Sequence, residues 1–206
     1  MTKQMKADDN AQESFWKGSF GDSYTDRNQQ PIAPLQALFR EILRDLALDS
    51  ATELGANRGL NMQALRGLYP AANLTAVEIN KTACGHLRSL GGIEVVESSL
   101  LQYQPTRPSD LSFTKGVLIH IAPEDLAAAY ETLLRCSSRY VLVVEYFSTQ
   151  PQEVAYRGHS GRLWKRDFAG EIMDRYPVKL LRYGFVYRRD KRYVDDDTTW
   201  FLMEKE

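Results

Sequence analysis

Two glycines and two acidic residues in this sequence are spaced as in a site for a nucleotide-like ligand. The stretch ELGANRGLN, residues 53–61, joins a short strand pattern to a helical pattern and contains Gly55 and Gly59. Glycine permits backbone conformations that a side chain forbids, and Gly59 would let the helix begin close to a ligand. Glu78 follows Gly55 at close to the separation of roughly 20 residues that is typical of an acid holding ribose hydroxyls. The spacing predicts a site for an adenosine ligand.

An acid two residues before the first glycine narrows the choice of ligand. The turn lacks the Gly-x-Gly-x-x-Gly order that lets a pyrophosphate approach a helix, and Glu53 would repel a pyrophosphate. A carboxylate there suits an ammonium group, such as the one at the methionine end of S-adenosylmethionine. We therefore expect S-adenosylmethionine as the cofactor, with a nicotinamide dinucleotide as the weaker alternative.

The elements that must position these residues alternate between strand and helix. Strand patterns occupy 50–54, 73–78, 93–97, 110–114 and 140–146, and helical patterns occupy 35–48, 60–68, 81–90 and 124–136. Such alternation implies an α/β fold with a doubly wound, mostly parallel sheet covered by helices. After a helix near 169–175, two late strand patterns at 179–187 and 198–203 predict an antiparallel hairpin at the edge, joined by a turn that includes 195–197. The expected sheet has seven strands.

Length and charge favour one soluble domain. In a chain of 206 residues, 26 Lys and Arg against 27 Asp and Glu give a formal charge of −1, so nothing draws the whole molecule to nucleic acid or anionic lipid. Cys84 and Cys136 lack metal-ligand spacing, and no apolar run approaches the roughly 18 residues of a membrane span. We expect a cytoplasmic monomer or homodimer without a metal.

The expected domain covers residues 15–206 and follows a frayed N-terminus at 1–14. Within it we expect a lid and a helix at 15–48, a cofactor-binding half at 50–146, and an acceptor-side insertion with the hairpin at 147–206.

Several motifs together resemble a known family. ELGANRGLN looks like the first motif of class I S-adenosylmethionine-dependent methyltransferases, VEIN like the second, and SSLLQY and DLSFTKGVLIHIAPEDL like the third and fourth. From Phe15 onwards, FWKGSFGDSYTDRN, YRGHSGRLWKRDFAGE, YGFVYRRD and DDDTTWFLMEK resemble the methyltransferases found with pseudaminic acid biosynthesis genes. The resemblance implies a Rossmann-like methyltransferase fold. Two departures are Asn57, where a glycine is usual, and Gln102 near the position of a usual aspartate.

The resemblance also implies roles for individual residues. Glu53 would support the cofactor's ammonium, Glu78 its ribose, and Ile79 its adenine face. The remaining cofactor residues would be Gly55, Asn57, Gly59, Asn61, Ser99, Leu100 and Thr114.

Methyl transfer requires alignment of the acceptor with the sulfonium and, for an acceptor that holds a proton, a base. His120 follows the fourth strand and is the candidate base, because a histidine pKa lies near neutral pH; otherwise it is a packed histidine that tethers its loop. Lys115 would pair with an anionic acceptor or lie on the surface.

Two polar, aromatic segments are candidates for closing the site. Trp16, Tyr24 and Arg27 would close over the cofactor as a lid, unless these aromatics only plug the mouth of the sheet. The acceptor-side candidates form a basic and aromatic set, typical of a site for a carboxylate or phosphate, although charge runs are usually solvated surface. They are Glu145, Tyr146, Tyr156, Arg157, His159, Arg162 and Arg166.

These residues predict methyl transfer to a hydroxyl or amine of a small, anionic acceptor such as a nonulosonic acid or sugar nucleotide. Two alternatives stay open. One is a nucleic-acid base as acceptor, which the near-neutral charge disfavours. The other is a non-catalytic module that binds the cofactor.

Overall fold

The computed structural model describes residues 10–193 and 196–206, which form both helices and strands. The helices are α1 Ala11–Lys17, α2 Ser19–Arg27, α3 Ile32–Ile42, α4 Leu60–Leu68, α5 Lys81–Leu90, α6 Leu126–Arg135 and α7 Phe168–Met173. The strands are β1 Ser50–Leu54, β2 Asn73–Glu78, β3 Ile93–Glu97, β4 Ser109–Lys115, β5 Ser137–Glu145, β6 Gln152–Glu153, β7 Trp164–Lys165, β8 Val178–Val186 and β9 Thr198–Lys205. Short 3-10 turns at Leu118–His120 and Pro123–Asp125 follow β4.

Seven of these strands form one sheet in the order β3-β2-β1-β4-β5-β9-β8. The strands from β3 to β5 pair in parallel, whereas β9 pairs antiparallel with both β5 and β8. This confirms the predicted α/β fold and the seven-stranded, mostly parallel sheet. The antiparallel hairpin at the edge is also present: β9 pairs with β5, and β8 forms the edge and runs in the same direction as β5.

The core lies on both faces of the sheet. On one face, α3 and α4 bury Leu35, Phe39 and Met62 against the strands, and on the other, α6 and α7 bury Tyr130 and Phe168. Strands covered on both faces can read as continuous apolar runs, as YVLVV in β5 does. The order of strands reverses between β1 and β4, so a crevice opens at their carboxyl ends.

The structure corrects two boundaries in the N-terminal part. Residues 10–14 are not frayed, because Asn10 caps α1 by accepting hydrogen bonds from the N–H groups of Gln12 and Glu13; residues 1–9 of the predicted frayed segment lie outside the described residues. The helix predicted at 35–48 spans Ile32–Ile42. Asp45 adopts a φ of 65°, which no helix allows, and Leu43 and Leu48 are buried by packing instead.

Candidate functional site

A cavity of about 500 Å³ lies at the carboxyl ends of β1, β2 and β4, where the strand order reverses. Two groups of residues enclose it. We call the first the cradle: Glu53 to Asn61, Glu78 to Asn80 and Lys115 to Val117. We call the second the cover: α1, α2 and residues 156–163. The size and position are those of a small-molecule site in a doubly wound sheet.

The glycines of the cradle are required by the shape of the turn and by packing. Gly55 and Gly59 have φ values of 79° and 83°, in the region that favours glycine. A Cβ atom on Gly55 would lie 2.6 Å from the Val117 side chain, and one on Gly59 would lie 2.6 Å from Leu87 on α5. Gly59 is absent from the lining of the cavity described here. It brings α4 and α5 together, whereas Gly55 lies at the cavity wall.

The Glu78 carboxylate organises the cradle. Its Oε2 accepts a hydrogen bond from the Asn57 backbone N–H at 2.7 Å, and its Oε1 accepts one from the Asn80 backbone N–H at 2.7 Å. Burial raises the pKa of this carboxyl, and the backbone donors at Asn80, Asn57 and Ile79 oppose the rise. A carboxylate has about four acceptor positions, so hydroxyl donors of a ligand can still be accepted.

The cradle also contains polar atoms that the described parts of the chain leave without a partner. Glu53 is fully buried: its Oε1 accepts from Asn61 Nδ2 at 2.6 Å, but its Oε2 has no hydrogen-bond partner among residues 10–193 and 196–206. The same holds for Oδ1 of Asn57, whose φ is 47°. Burial raises the pKa of Glu53 to about 8, while Asn61 and the Lys115 ammonium lower it. Buried polar atoms of this kind usually have a partner, and a ligand with an ammonium group would supply one.

Most of the predicted cofactor residues are brought together. The cavity lining includes Trp16, Tyr24, Arg27, Gly55, Asn57, Asn61, Glu78, Ile79, Ser99 and Leu100. Glu53, Gly59 and Thr114 lie behind this surface, outside the described lining, so they would act through the residues in front of them.

The cover is attached to the cradle by hydrogen bonds. Asn80 Nδ2 donates to the Trp16 carbonyl and to Asp22 Oδ1, each at 3.0 Å, and Arg58 donates to the Thr25 carbonyl at 3.2 Å. Asn80 also caps α5 by accepting from the Ala83 N–H. The segment predicted as a lid therefore forms two short helices, α1 and α2, that are hydrogen-bonded to Asn80 of the VEIN motif.

His120 lies in the cavity lining beneath the cover. Its Nδ1 lies 2.7 Å from the Arg162 carbonyl, which can only accept, so Nδ1 carries the proton and Nε2 keeps its lone pair. Burial lowers the pKa of His120 to about 4, although the bond to Arg162 raises it. The sequence argument that this pKa lies near neutral pH was wrong. The imidazole is neutral at pH 7 and weakly basic.

The structure divides the predicted acceptor residues into two groups. Tyr146, Tyr156 and Arg157 line the cavity, as does the candidate Lys115. The others are used inside the protein, because their side chains contact neighbouring segments rather than the cavity.

Each side chain of this second group has an identified partner. Glu145 is 2% exposed and accepts hydrogen bonds from the N–H groups of Val117 and Leu118. Burial raises its pKa to about 7. Arg166 pairs with Glu171 at 2.6 Å, Arg162 donates to Gln12, and His159 packs against Phe15.

Sequence reasoning missed several residues of the lining. Glu13 and Asn10 were assigned to a frayed terminus, and Asp125 and Asn80 were not considered. The three-residue spacing of Glu13 and Trp16 within one helix was the signal that could have found the first of them. In the parts of the chain that the structure describes, no group of three or more His, Cys, Asp or Glu could hold a metal ion. Over the same ranges, no helix is long and apolar enough to cross a bilayer.

Comparison with known proteins shows the class of fold. No protein-family model matches the chain, and no curated protein matches it. Solved structures do. The 1,6-didemethyltoxoflavin N1-methyltransferase of Burkholderia thailandensis, bound to its substrate and S-adenosylhomocysteine, superposes with a TM-score of 0.73 at 13% identity, covering 99% of this chain and 93% of its own.

Two further structures agree with it. The magnesium protoporphyrin IX methyltransferase of Synechocystis PCC 6803, bound to S-adenosylhomocysteine, has a TM-score of 0.67 at 13% identity over 94% of this chain and 97% of its own. An S-adenosylmethionine-dependent methyltransferase of Clostridium acetobutylicum has a TM-score of 0.66 at 11% identity over 90% and 97%. The chain thus has the fold of class I S-adenosylmethionine-dependent methyltransferases. These comparisons do not support the resemblance to the pseudaminic acid-associated enzymes.

Proposed function

We propose that the protein is an S-adenosylmethionine-dependent methyltransferase that acts on a small acceptor. The observation that carries the proposal is the cradle itself. A carboxylate that holds the first-motif turn lies at the switch point of the sheet, beside two buried polar atoms, Glu53 Oε2 and Asn57 Oδ1, that lack partners within the described residues. The solved structures with this fold and bound cofactor support the same assignment.

The residues present fit the cofactor. Glu78 would accept the ribose hydroxyls, Glu53 and Asn57 would lie towards the methionine end, and Ile79 with Leu100 would contact the adenine. When bound, the cofactor supplies an electrophilic methyl group on a sulfonium. The aromatic side chains of the cover, Trp16 and Tyr24, would exclude water from that group.

His120 would orient the acceptor and accept its proton. Because Nδ1 is bound to the Arg162 carbonyl, Nε2 is the ring atom able to accept. Its low basicity makes positioning the larger part of its contribution, and alignment of the two reactants is the main requirement of a direct displacement.

The acceptor would carry an anionic group that reaches the rim of the cavity. Arg157 is exposed there and lies over the Tyr156 ring at 5.8 Å, and Lys115 also lines the cavity. A carboxylated sugar such as a nonulosonic acid, or a sugar nucleotide, has this chemistry. Arg162 and Arg166 do not line the cavity, because Arg162 donates to Gln12 and Arg166 pairs with Glu171.

One experiment tests the proposal. The protein is incubated with S-adenosylmethionine carrying a labelled methyl group and with separate fractions of small metabolites, nucleotide sugars and nucleic acid. We expect label in a small-metabolite or nucleotide-sugar fraction. Label in nucleic acid would favour a base as the acceptor. Tight binding of S-adenosylhomocysteine without transfer to any fraction would favour a non-catalytic module, and binding of NAD alone would overturn the cofactor.

A further inference from the structure

The cover contains a buried acid, Glu13, with one carboxylate oxygen that no described residue hydrogen-bonds. Glu13 on α1 is 8% exposed and lines the cavity, yet its Oε1 has no hydrogen-bond partner in the described ranges of the chain. Leaving a buried carboxylate oxygen unpaired is costly, so such an atom in a cavity wall indicates a ligand that donates to it.

The neighbouring polar groups are held by other partners. Gln12 donates to the Gly161 carbonyl at 2.9 Å, and Asn10 Nδ2 donates to Asp125 at 2.7 Å. Arg162 of the insertion donates to Gln12 and to the Ala11 carbonyl, and its guanidinium lies over the Phe15 ring at 4.7 Å. The side chains around Glu13 are thus held by other partners, and Glu13 Oε1 is available to a ligand in the cavity.

Aromatic rings surround the same part of the cavity. Trp16 lies on the face of α1 that carries Glu13, and its ring centroid is 4.7 Å from His120 and 6.5 Å from Tyr156. The rings of His120 and Tyr156 are 4.8 Å apart. Indole and phenol faces attract cations, and His120 adds no positive charge because its pKa is lowered to about 4.

We propose that Glu13 binds the methyl acceptor, and that the acceptor presents a nitrogen bearing hydrogen to its carboxylate, as a protonated amine or a ring N–H. This inference rests on the proposed function and narrows the acceptor class. With Arg157 at the rim, the site fits a molecule with a nitrogen donor at its buried end and an anionic group at its outer end. Glu53, which lies behind the cavity surface, would support the cofactor's ammonium, so the two carboxylates would serve different molecules.

The test uses a matched pair of small probes. The probes are para-(aminomethyl)benzoate and para-(hydroxymethyl)benzoate, which share a carboxylate and a ring and differ in a protonated amine against a hydroxyl. Their binding to the full chain, saturated with S-adenosylhomocysteine, is measured by calorimetry. We expect the amine to bind about tenfold more tightly, as for a hydrogen bond between charged groups.

Variants assign this preference to one residue. Glu13→Gln keeps the shape of the side chain and removes its charge, so the preference for the amine should disappear. Glu131→Gln, on the exposed face of α6, is the charge-matched control and should retain it. Arg157→Gln should weaken both probes to a similar extent. Thermal unfolding of each variant establishes that it folds.

The outcomes separate this inference from the proposed function. Equal binding of the two probes by the unaltered protein, binding of neither, or an unchanged preference in Glu13→Gln would overturn the role of Glu13. Failure of the unaltered protein to bind S-adenosylhomocysteine would instead overturn the proposed function.

Discussion

The cradle and the cover enclose one cavity but are built in different ways. The cradle follows buried parallel strands, and its hydrogen bonds join segments that the sheet has already aligned, as between Glu78 and Asn57. The cover consists of two short helices held by bonds across long stretches of sequence, such as Asn10 to Asp125 and Gln12 to Gly161. A rigid sheet provides the precision that a constant cofactor requires. The sequence of the cover can vary with the acceptor without altering the sheet. Variants should therefore separate cofactor binding by the cradle from acceptor binding by the cover.

The largest effect is expected at His120, which lines the cavity beneath the cover. His120→Asn keeps an N–H group for the Arg162 carbonyl and removes the ring nitrogen that accepts. Turnover should fall about a hundredfold, at the low end for loss of a proton acceptor, while the affinity for S-adenosylhomocysteine stays the same. Single-turnover kinetics and calorimetry measure the two quantities. Full activity of the variant would exclude His120 from the reaction.

The pH dependence of the unaltered protein sharpens the same test. Since burial lowers the pKa of His120 to about 4, the acid limb that this residue imposes on the rate should lie near pH 4 rather than near pH 6.5. The same shift in pKa makes the stability of the protein depend on pH. The folded state binds this proton less tightly than the unfolded state, so the free energy of unfolding falls as pH decreases from 6.5 to 4.

Removal of the central carboxylate should affect the cradle alone. Glu78→Ala leaves the N–H groups of Asn57 and Asn80 without their acceptor and removes the proposed ribose ligand. Binding of S-adenosylhomocysteine should weaken by about 2 kcal/mol, measured by calorimetry. Glu97→Ala is the matched control, since Glu97 pairs with Glu78 in register on β3 and its side chain is largely exposed. Equal effects of the two variants would show that the ribose lies elsewhere.

Affinity for the cofactor should depend on pH through Glu53. Its pKa is raised to about 8, so the carboxylate that an ammonium needs becomes about tenfold more populated between pH 6 and pH 7. Binding of S-adenosylmethionine should strengthen by up to about tenfold over that interval and release a proton, which calorimetry in two buffers detects. In Glu53→Gln the dependence should be absent. Because the folded pKa is raised, protonated Glu53 favours the folded state, and the free energy of unfolding of the free protein falls as pH rises from 4.5 to 8.

The smallest effect concerns the anchor between the two regions. Asn80→Asp keeps an N-cap acceptor for α5, but it removes the donor to Trp16 and places a carboxylate against Asp22. S-adenosylhomocysteine should bind about fivefold more weakly, and trypsin should cleave more readily after Lys17 and Arg27. The unfolding free energy should fall as well, because Asn80 is buried and the new carboxylate would be desolvated beside Asp22. Asn80→Ala, which also loses the cap, should lower it by about 1 kcal/mol.

The same contrast explains what the sequence could predict. The bounds of β1, α4, β2, α5 and β3 were predicted to the residue, because alternating apolar patterns are interrupted by clear caps and turns such as Asn80 and Gly91. The order of the last two strands in the sheet was not predicted, because the pairing of β9 with β5 produces no local sequence pattern.

The cover was predicted less completely, for a physical reason. Whether an arginine faces a ligand depends on whether another side chain binds it, as Glu171 binds Arg166 and as Gln12, 150 residues away in the sequence, accepts from Arg162. The sequence shows which side chains are charged but not which other residues bind them. Glu13 was missed for the converse reason: a polar N-terminal segment looks unstructured until its contacts with residues more than a hundred positions away are known.

The position of β9 has a consequence for the order in which the chain assembles. Among the described residues β9 is the last strand in chain order, and it fills the gap between β5 and β8. During synthesis from the N-terminus, β1 to β5 can pair as soon as they emerge, whereas the outer edge of β5 must wait for the last strand. We therefore expect the cofactor-binding half to gain structure first and the hairpin to complete the sheet last. The chain should be most prone to aggregation during the interval in which the edge of β5 is exposed.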